Sequence, residues 1–359
     1  MTRIVTFLTR TKGSADKAHR FGAQDYLAYG YLLLGVLIIL IPVSWTLLSS
    51  IKSEEALSGF DTRLLPYSQI VKDIPGIGEK PIYTLTEDGQ TQEVFKQGPT
   101  RRVTEVSPVA NPETILEVPR TELKPSEEIR IATENYLNPL LQRGDQKYFN
   151  FNLLLWNTVF VTVTATLITL LINSMAAFAL SKYRFRGRLT CTILIIATLL
   201  IPSTIILVSL FFVVWSFGIF GSLWGVIIPA AATPTGVFLL RQYMLTIPDE
   251  LLEAARMDAA SEWRIYWRIV LPLSLPALSV LAILSVIWRW NDFLWPLIVL
   301  ISDPSQHTIQ IGLTTFSGEF NTDQNYILAM TVVSLIPVTL VFVWLQRFIT
   351  TGIATTGLK

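Results

Sequence analysis

A few strongly polar side chains lie inside apolar segments of the sequence, and these are the first candidates for chemistry. Arg289 and Asp292 are three residues apart, with Asn291 between them and Trp288 just before them. On one helix the two charges are spaced to pair. Aromatic rings beside amide and carboxyl groups suit a hydroxylated solute, with C–H faces for the rings and hydroxyls for the polar groups. The structural alternative is that the pair fixes the helix while the tryptophans lie at a membrane interface.

Asn157 and Asn173 are two further polar residues of the same kind, in the apolar stretch 151–181. Polar groups inside a membrane are costly, so contact with a passing solute is one explanation for them. Hydrogen bonding between helices is an equally good one. Six residues are therefore candidates to line a pathway: Trp288, Arg289, Asn291, Asp292, Asn157 and Asn173.

A polar segment at 246–272 has the pattern of two short helices joined by a turn. Thr246 is placed to cap the first helix, Pro248 suits its first turn, and Asp249 and Glu250 suit its positive end. Ser261 offers a second cap, and residues 263–270 predict an amphipathic helix ended by 271–272. The pattern favours a helix–turn–helix hairpin.

Small residues mark this hairpin, at Ala254, Ala255, Ala259 and Ala260. One alternative is a helix that lies on the lipid surface. Lipid-facing helices favour larger apolar groups, whereas small residues let another protein approach the backbone closely. The composition therefore favours a docking surface.

Metal and thiol chemistry have little support in the sequence. Cys191 is the only cysteine, so neither an intramolecular disulfide nor a thiolate cluster can form. His19 and His307 have no ligand-type neighbours at metal spacing. The net charge of +1 lacks the basic excess expected of nucleic-acid binding. We predict no catalytic, cofactor or metal residues.

The sequence contains two regions of different composition, one rich in charged residues and one apolar. Residues 52–150 hold 12 Lys/Arg and 16 Asp/Glu, which together are 28 of the 55 charged residues in the whole chain of 359 residues. The remainder is strongly apolar. This division excludes a soluble enzyme with a single core.

Six stretches come close to the roughly 20 apolar residues that a membrane crossing needs. They are residues 26–51, 151–181, 189–220, 223–240, 273–301 and 326–346. Prolines inside several of them free backbone carbonyls that neighbouring helices must satisfy, which favours a packed bundle.

The Lys and Arg residues of the short loops predict the orientation. Basic residues concentrate before the first stretch, at 182–188, at 241–268 and after the last stretch, which all fall on one side if there are six crossings. By the positive-inside rule that side is cytoplasmic, so both termini are cytoplasmic. The long 52–150 segment then lies outside.

The sequence pattern of the external segment 52–150 predicts short strands. Residues 82–86 alternate apolar and polar, residues 92–95 continue the pattern, and Asp88-Gly89 between them favours a tight hairpin. Further strand candidates are 101–106 and 114–118. The segment is either a small β-rich elaboration or a docking surface for a soluble partner.

The sequence accordingly predicts an all-α polytopic membrane protein with six transmembrane helices, a cytoplasmic hairpin and a β-rich extracytoplasmic insertion between helices 1 and 2. The predicted boundaries are 1–25 for a cytoplasmic segment, 26–51 for helix 1, 52–150 for the insertion, 151–349 for helices 2–6 with the loop 246–272, and 350–359 for a cytoplasmic tail.

The hairpin resembles the EAA loop of the membrane subunits of bacterial ABC importers, the binding-protein-dependent transport family. The matching stretches are Glu253-Ala254-Ala255, Asp258-Ala259-Ala260-Ser261 and Ile269-Val270-Leu271-Pro272. Residues 134–136, 178–187, 290–297, 346–348 and 352–359 also resemble the carbohydrate branch, which includes maltose and glycerol-3-phosphate permeases. The resemblance covers nearly everything except residues 58–130.

That resemblance implies a transporter subunit in the bacterial plasma (inner) membrane, not an enzyme. It implies a second, different permease, two ATPase subunits and an extracytoplasmic solute-binding protein as partners. The chain has no G-x-x-x-x-G-K-[ST] loop, so ATP and magnesium would be bound by the ATPase and no cofactor by this chain. The solute would be a sugar or sugar-like compound, with a compatible solute or a polyol phosphate as the alternative.

The resemblance also implies that the hairpin docks in a cleft of the ATPase. The ATPase-coupling candidates are Glu253, Ala254, Ala255, Arg256, Asp258, Ala259 and Ala260. Glu253 and Asp258 are expected to supply polar anchoring. A membrane-anchored sensor or scaffold that works through the external segment is the alternative from another class, and it leaves the hairpin without a role; a membrane enzyme has only Arg289 and Asp292 in its favour.

Two departures from the family pattern are visible. Ala259 stands where the family usually has glycine, so the turn must either avoid the left-handed conformation or accommodate a Cβ. A first helix that continues one residue further satisfies both conditions. The external segment is also longer than the family's usual link.

Overall fold

A computed structural model describes residues 23–58, 63–87, 90–98, 103–141, 150–315 and 323–356. It divides into two units, Met1–Thr46 and Leu47–Lys359. The predicted cytoplasmic segment 1–25 and the end of the predicted tail lie largely outside the described residues.

The first unit contains most of helix α1, Ala23–Ser49. Its part Asp25–Ser49 is long and apolar enough to cross a membrane, although Pro42 lies inside it. This helix matches the predicted first stretch at 26–51.

The second unit begins with a short helix and a β-rich region. The elements are α2 (Glu54–Ser58), β1 (Tyr67–Gln69), β2 (Val71–Ile74), β3 (Gly78–Glu87), β4 (Gln90–Lys96), β5 (Val103–Pro108), β6 (Leu116–Pro119), β7 (Leu123–Pro125) and β8 (Glu127–Ile129). The larger sheet has the order β2-β3-β4-β5-β6 with β7 also paired to β3, and β1 pairs with β8. All these pairs are antiparallel. The predicted strands at 82–86, 92–95, 101–106 and 114–118 correspond to β3–β6.

The predicted hairpin between β3 and β4 agrees with their register. Glu87 lies opposite Gln90, so two residues connect the strands, and these two lie outside the described part of the chain. The sheet buries small apolar clusters on opposite faces because Ile82 and Leu85 are an odd number of residues apart in β3. Ile82 packs with Ile74 and Phe95, whereas Leu85 packs with a second cluster.

Helix α3 (Glu134–Leu141) joins the β-rich region to the helical region. Asn135 is fully buried there, and its Nδ2 donates to the carbonyl oxygens of Ser50 at 2.9 Å and Lys52 at 2.8 Å. Its Oδ1 accepts from Asn325 Nδ2 at 2.9 Å. One buried amide therefore ties residues 50–52 to the start of the last helix.

The helical region follows from residue 151. Its helices are α4 (Phe151–Lys182), α5 (Arg188–Thr198), α6 (Ser203–Ser216), α7 (Leu223–Ile227), α8 (Pro234–Met244), α9 (Asp249–Met257), α10 (Glu262–Leu273), α11 (Leu275–Trp290), α12 (Leu294–Leu300), α13 (Ile309–Thr315) and α14 (Gln324–Thr356). In the described residues, three helical segments are long and apolar enough to cross a membrane: Asp25–Ser49, Phe151–Lys182 and Gln324–Arg347. Counting two bent helix pairs as single crossings raises the number to five.

Three of the predicted crossings are broken rather than continuous. The predicted span 189–220 is α5 and α6 with a bend of 106° before Ser203. The predicted span 223–240 is the two short helices α7 and α8, and the span 273–301 is interrupted between α11 and α12. Proline explains the first two breaks, because Pro202, Pro229 and Pro234 each lack an N–H and restrict the residue before them.

Candidate functional site

The first arm of the hairpin is α9, and its start differs from the prediction. Pro248 occupies the N-cap position without a side-chain cap, and Asp249 and Glu250 lie in the first turn as expected. The predicted Thr246 cap is wrong. Thr246 Oγ1 instead donates to the Tyr243 carbonyl oxygen at 2.8 Å, which ends the preceding helix.

Of the two options for the turn after α9, the structure has the second, a left-handed conformation that accommodates the Cβ of Ala259. Ala259 has φ of +55°, the only positive φ at a non-glycine residue in the described chain. Its N–H donates to the Arg256 carbonyl at 3.0 Å, and the Ala260 N–H donates to the Ala255 carbonyl at 3.0 Å. These two bonds form a Schellman motif, which needs a left-handed residue at this position. The expectation of a longer helix is therefore wrong, because the turn satisfies two carbonyls only by accommodating the Cβ.

The second arm begins as predicted and ends later. Ser261 Oγ accepts from the Arg264 N–H at 3.3 Å, which confirms the second cap. The arm then runs through Glu262–Ile265, a π-helical turn at Tyr266–Val270 and Leu271–Leu273. Pro272 does not end it; the break is at Ser274, where the chain bends by 75° into α11.

One face of the hairpin is buried against the end of α4. Leu252, Ala255 and Ile265 belong to a buried cluster that includes Ala177 and Phe178 of α4. Ala255 is 9% exposed, so its small side chain serves packing within the chain. The hairpin is therefore held by the second long helix.

Tyr266 strengthens this attachment from within the π-helical turn. Its ring lies 5.6 Å from that of Phe178, and its hydroxyl and the Ser174 hydroxyl are 2.7 Å apart, both buried. The second arm thus meets α4 through apolar and polar contacts together.

The opposite face of the hairpin is open. Glu253, Ala254, Arg256, Asp258 and Ala259 are exposed, and Ala260 is half-buried. The Glu253 and Asp258 carboxylates make no hydrogen bond or ion pair with any described residue. Five of the seven predicted coupling residues share this exposed surface, which we call the outer face.

Arg256 differs from its neighbours because it is paired across the turn. Its Nε donates to Glu262 Oε1 at 2.7 Å and its Nη2 to Glu262 Oε2 at 3.2 Å. The Tyr183 hydroxyl donates to the same Oε2 at 2.7 Å. This chain of three side chains ties the two arms to each other and to the residue after α4.

The charges of this network shift the pKa values in consistent directions. The bond from Arg256 lowers the pKa of Glu262, and Glu262 in turn raises the pKa of Arg256. Burial and the bond to Glu262 raise the pKa of Tyr183 to about 12. Around neutral pH, Glu262 therefore stays ionised and Tyr183 stays a donor.

Lys182, the last residue of α4, makes a second link to the hairpin. Its side chain is 3% exposed, and Nζ donates to the Ile247 carbonyl at 2.6 Å and to Asp249 Oδ1 at 2.7 Å. This bond lowers the pKa of Asp249. Sequence reasoning missed the contacts of Lys182 with Ile247 and Asp249 and of Tyr183 with Glu262. The residues of each contact are 65 or more positions apart in the sequence, so no local pattern indicates that they meet.

Arg289, predicted to pair with Asp292, is used differently. Its guanidinium donates to Ser285 Oγ in its own helix, to Thr169 Oγ1 of α4 at 2.6 Å, and to the Ala230 carbonyl at 2.6 Å. Ala230 lies in the break between α7 and α8, where helix bonds are missing. Arg289 therefore satisfies a carbonyl that the broken helix leaves open.

Asp292 makes no ion pair with Arg289 within 4.0 Å, so the predicted pair is wrong. The cause is that α11 ends at Trp290, and Asp292 lies beyond the helical geometry on which the spacing argument depended. Asn291 donates to the Ile287 carbonyl of its own helix at 2.8 Å, and Trp288 is 45% exposed.

Asn157 and Asn173 both hold neighbouring segments in place. Asn157 Nδ2 donates to the Ser305 carbonyl at 2.8 Å and the His307 carbonyl at 3.0 Å. Asn173 donates to Thr233 Oγ1 at 2.7 Å and accepts from the Thr233 N–H at 3.2 Å. Of the two explanations for these residues, their hydrogen bonds support the structural one.

Comparisons with known proteins agree with this architecture. The family model described as "Binding-protein-dependent transport system inner membrane component" matches residues 170–355, which include the hairpin and the Arg289 region. The solved structure of a bacterial ABC transporter for import of the acidic polysaccharide alginate aligns with a TM-score of 0.62 at 22% identity, over 91% of this chain and 98% of that chain. At this identity the likeness shows the fold.

Curated relatives are more similar in sequence. The arabinooligosaccharides transport system permease protein AraQ of Halalkalibacterium halodurans is 36% identical over 203 residues, 56% of this chain and 72% of the relative. AraQ of Bacillus subtilis is 32% identical over 244 residues, 66% and 86% of the two chains. The sn-glycerol-3-phosphate transport system permease protein UgpE of Brucella abortus is 35% identical over 205 residues, 56% and 72% of the two chains. This chain therefore belongs to the inner-membrane components of binding-protein-dependent transport systems, the permease subunits of ABC importers, in which a separate subunit supplies the ATPase.

Proposed function

We propose that this chain forms one half of the translocation pathway of an importer for a sugar or sugar-like solute. A second permease forms the other half, two ATPase subunits dock from the cytoplasm, and a binding protein delivers the solute from outside. The sugar assignment rests on the AraQ relatives, whose names specify arabinooligosaccharides. The UgpE relatives make a polyol phosphate the alternative.

The chain in this proposal crosses the membrane six times with both termini in the cytoplasm. Three crossings are the long helices, and the other three are the broken segments α5–α6, α7–α8 and α11–α12. The arrangement puts the hairpin on the side that carries Lys182, Arg184 and Arg241, as the positive-inside rule requires. The β-rich region then lies outside.

The hairpin in this proposal is the part that couples the ATPase to the pathway. The single observation that carries it is the contrast between its faces: the inner face is buried on α4, while the Glu253 and Asp258 carboxylates on the outer face make no hydrogen bond or ion pair with a described residue. Carboxylates without a hydrogen-bond donor, beside Ala254 and Ala259, suit a cleft that supplies donors at close range. Ala255 belongs to the inner face and supports the hairpin from behind.

Movement of a docked hairpin would reach the pathway through α4. Lys182, Tyr183 and Tyr266 connect the hairpin to that helix. Asn173 and Thr169 of the same helix hold Thr233 and Arg289 near the broken segments. A rigid-body change of this kind needs a bistable element biased by nucleotide, which the ATPase would provide.

The test is a charge reversal on the outer face in the reconstituted complex. Glu253→Lys should leave membrane insertion and complex purification possible while it abolishes solute-stimulated ATP hydrolysis and uptake. Glu117→Lys makes the same change at an exposed position in β6 and should leave both activities intact. Unchanged stimulation in Glu253→Lys would count against the coupling role.

A further inference from the structure

Three helix breaks of the permease region meet at one cavity. The cavity has a volume of about 260 Å³ and is lined by Ser203, Thr204, Ile206, Leu207, Leu210, Pro229, Ala230, Asp292, Leu294 and Trp295. Ser203 and Thr204 begin α6 after its break, Pro229 and Ala230 lie between α7 and α8, and Asp292 lies between α11 and α12. Residues far apart in sequence thus converge where regular helix is interrupted.

A break in a helix inside the membrane indicates a cavity or a contact with protein. Backbone groups without helix partners are tolerated there only when buried in protein or lining a cavity, and transporters place solute sites at such breaks. One freed group here, the Ala230 carbonyl, is satisfied by Arg289. Residues of the other two breaks line the same cavity.

The residues that line this cavity carry polar groups with few or no hydrogen bonds to the described residues. The hydroxyls of Ser203 and Thr204 make no hydrogen bond with a described residue. Among the described residues, the half-buried Asp292 carboxylate accepts one hydrogen bond, a long one from the Trp295 N–H at 3.5 Å. Trp295 is 7% exposed, and its buried Nε1 has no partner in the described chain.

The ionisable group of the cavity lining is a carboxylate. Among the described residues, Asp292 is the only ionisable one that lines the cavity. Arg289 acts on Asp292 electrostatically, but its guanidinium donates to Ser285, Thr169 and the Ala230 carbonyl and makes no hydrogen bond or ion pair with the carboxylate. An anionic solute in the cavity would therefore meet the Asp292 carboxylate directly, with no cation in the described lining.

We propose that this cavity is a solute-contact site of the pathway and takes one neutral, polyhydroxylated ring, whose hydroxyls bind Asp292 and whose C–H face packs on Trp295 and the aliphatic walls. The volume lies below the roughly 300–1,000 Å³ of pockets for drug-sized ligands, so it fits a single sugar unit at a time. The inference rests on the importer function proposed above and deepens it, because it favours a neutral sugar over a polyol phosphate.

The first test asks whether solute reaches the cavity. Thr204 lines the cavity, so Thr204→Cys places a thiol in it. Val208 lies one turn further along α6, is 67% exposed and is outside the lining, so Val208→Cys is the control. Both are made in a Cys191→Ser background, which removes the only native thiol. In the reconstituted importer with its binding protein, arabinooligosaccharide at ten times its half-saturating concentration should slow maleimide labelling of Cys at position 204 about tenfold. Labelling at position 208 should not change.

The second test asks whether the carboxylate selects the solute. Asp292→Asn keeps an oxygen that can accept from the Trp295 N–H but removes the charge. Loss of a charge-assisted hydrogen bond should reduce arabinooligosaccharide uptake about tenfold. It should also narrow the difference in uptake between this sugar and sn-glycerol 3-phosphate.

The outcomes separate this inference from the function on which it rests. Suppose that sugar stimulates ATP hydrolysis by the unmodified complex, but does not protect position 204, and that Asp292→Asn takes up sugar normally. These results would overturn the cavity site and leave the importer function supported. Protection by sn-glycerol 3-phosphate alone would overturn the neutral-solute assignment. A complex that neither solute stimulates would count against the proposed function itself.

Discussion

The hairpin and the cluster around Arg289 differ in whether sequence spacing predicts which oppositely charged residues form an ion pair. In the hairpin, Arg256 and Glu262 are six residues apart and form a two-point ion pair. In the cluster, Arg289 and Asp292 are three residues apart, a spacing that favours pairing on a helix, yet they do not pair. The local backbone decides both cases, because the Ala259 turn folds one pair together while the end of α11 separates the other.

Both regions nevertheless divide their charges in the same way. One charged group is hydrogen-bonded to other elements and holds the structure: Arg256 with Glu262 in the hairpin, and Arg289 at the helix break. A neighbouring carboxylate makes no ion pair and faces a surface or a cavity: Glu253 or Asp258 in the hairpin, and Asp292 in the cluster. The difference between anchored and available charges identifies candidate working residues better than sequence spacing does.

The largest effect that distinguishes anchored from available charge should come from Arg289→Ala. It removes a donor from the Ala230 carbonyl and from the Ser285 and Thr169 hydroxyls in a low-dielectric site, although the bond from Thr169 to Ala230 and the bond between Thr166 and Ser285 remain. We expect a loss of about 1–3 kcal/mol, the range for a buried group that loses its partner, measured as a clear drop in the thermal midpoint of the detergent-solubilised complex. Arg264→Ala, an exposed arginine of the hairpin, should change stability by less than about 0.5 kcal/mol. Equal midpoints for the two variants would contradict an anchoring role for Arg289.

The substitution Ala259→Gly tests the strain in the turn that brings Arg256 to Glu262. A left-handed alanine costs about 1–2 kcal/mol, and glycine recovers part of this while losing more freedom on folding. We expect a net stabilisation of about 0.5–1 kcal/mol in thermal unfolding. Ala260→Gly, at a neighbouring residue without positive φ, should destabilise instead. A destabilised Ala259→Gly variant would show that the turn does not carry the strain inferred here.

The pairing contrast itself is measurable by two double-mutant cycles on stability. Arg256→Ala with Glu262→Ala should give a coupling free energy of about 0.5–1 kcal/mol, as expected of a partly exposed pair with good geometry. Arg289→Gln with Asp292→Asn should give a smaller coupling free energy, because these two groups act on each other electrostatically without a hydrogen bond or ion pair between them. A larger coupling for the second pair would reverse the comparison.

The smallest effect concerns the proton of Tyr183. Its pKa of about 12 lies above the ordinary 10.0 because burial and Glu262 disfavour the phenolate. Between these two pH values the unfolded chain loses this proton and the folded chain keeps it, so the stabilisation is present below pH 10 and is lost as pH rises toward 12. The difference in phenolate absorbance between the native protein and Tyr183→Phe should therefore have its midpoint near pH 12. A midpoint near 10 would mean that the bond to Glu262 is not formed.

Much of the architecture was predictable because membrane thickness and strand alternation act locally. The long apolar stretches, the β3–β4 pairing and the Ser261 cap all follow from patterns within a few residues. The breaks at Pro202 and Pro229 were visible as prolines, but the bend of 106° depends on packing around them.

The site was predictable in location and less so in its contacts. Ala259 takes a left-handed conformation because two carbonyls need the turn, a gain that the steric argument did not weigh. Lys182 and Tyr183 reach Asp249 and Glu262 only through the fold, so no local pattern announces them. The seven coupling residues and the six pathway residues keep their assigned roles as predictions.

The central claim is that the outer face of the hairpin meets the ATPase. The most direct measurement is photo-crosslinking from Ala254→Cys, labelled with a benzophenone maleimide in the Cys191→Ser background of the assembled importer. Trp267→Cys, on the exposed side of the second arm, is the matched control. We expect a crosslink from position 254 to the ATPase subunit, with a stronger yield than from position 267. Crosslinks from position 254 only to lipid or to the permease itself would contradict it.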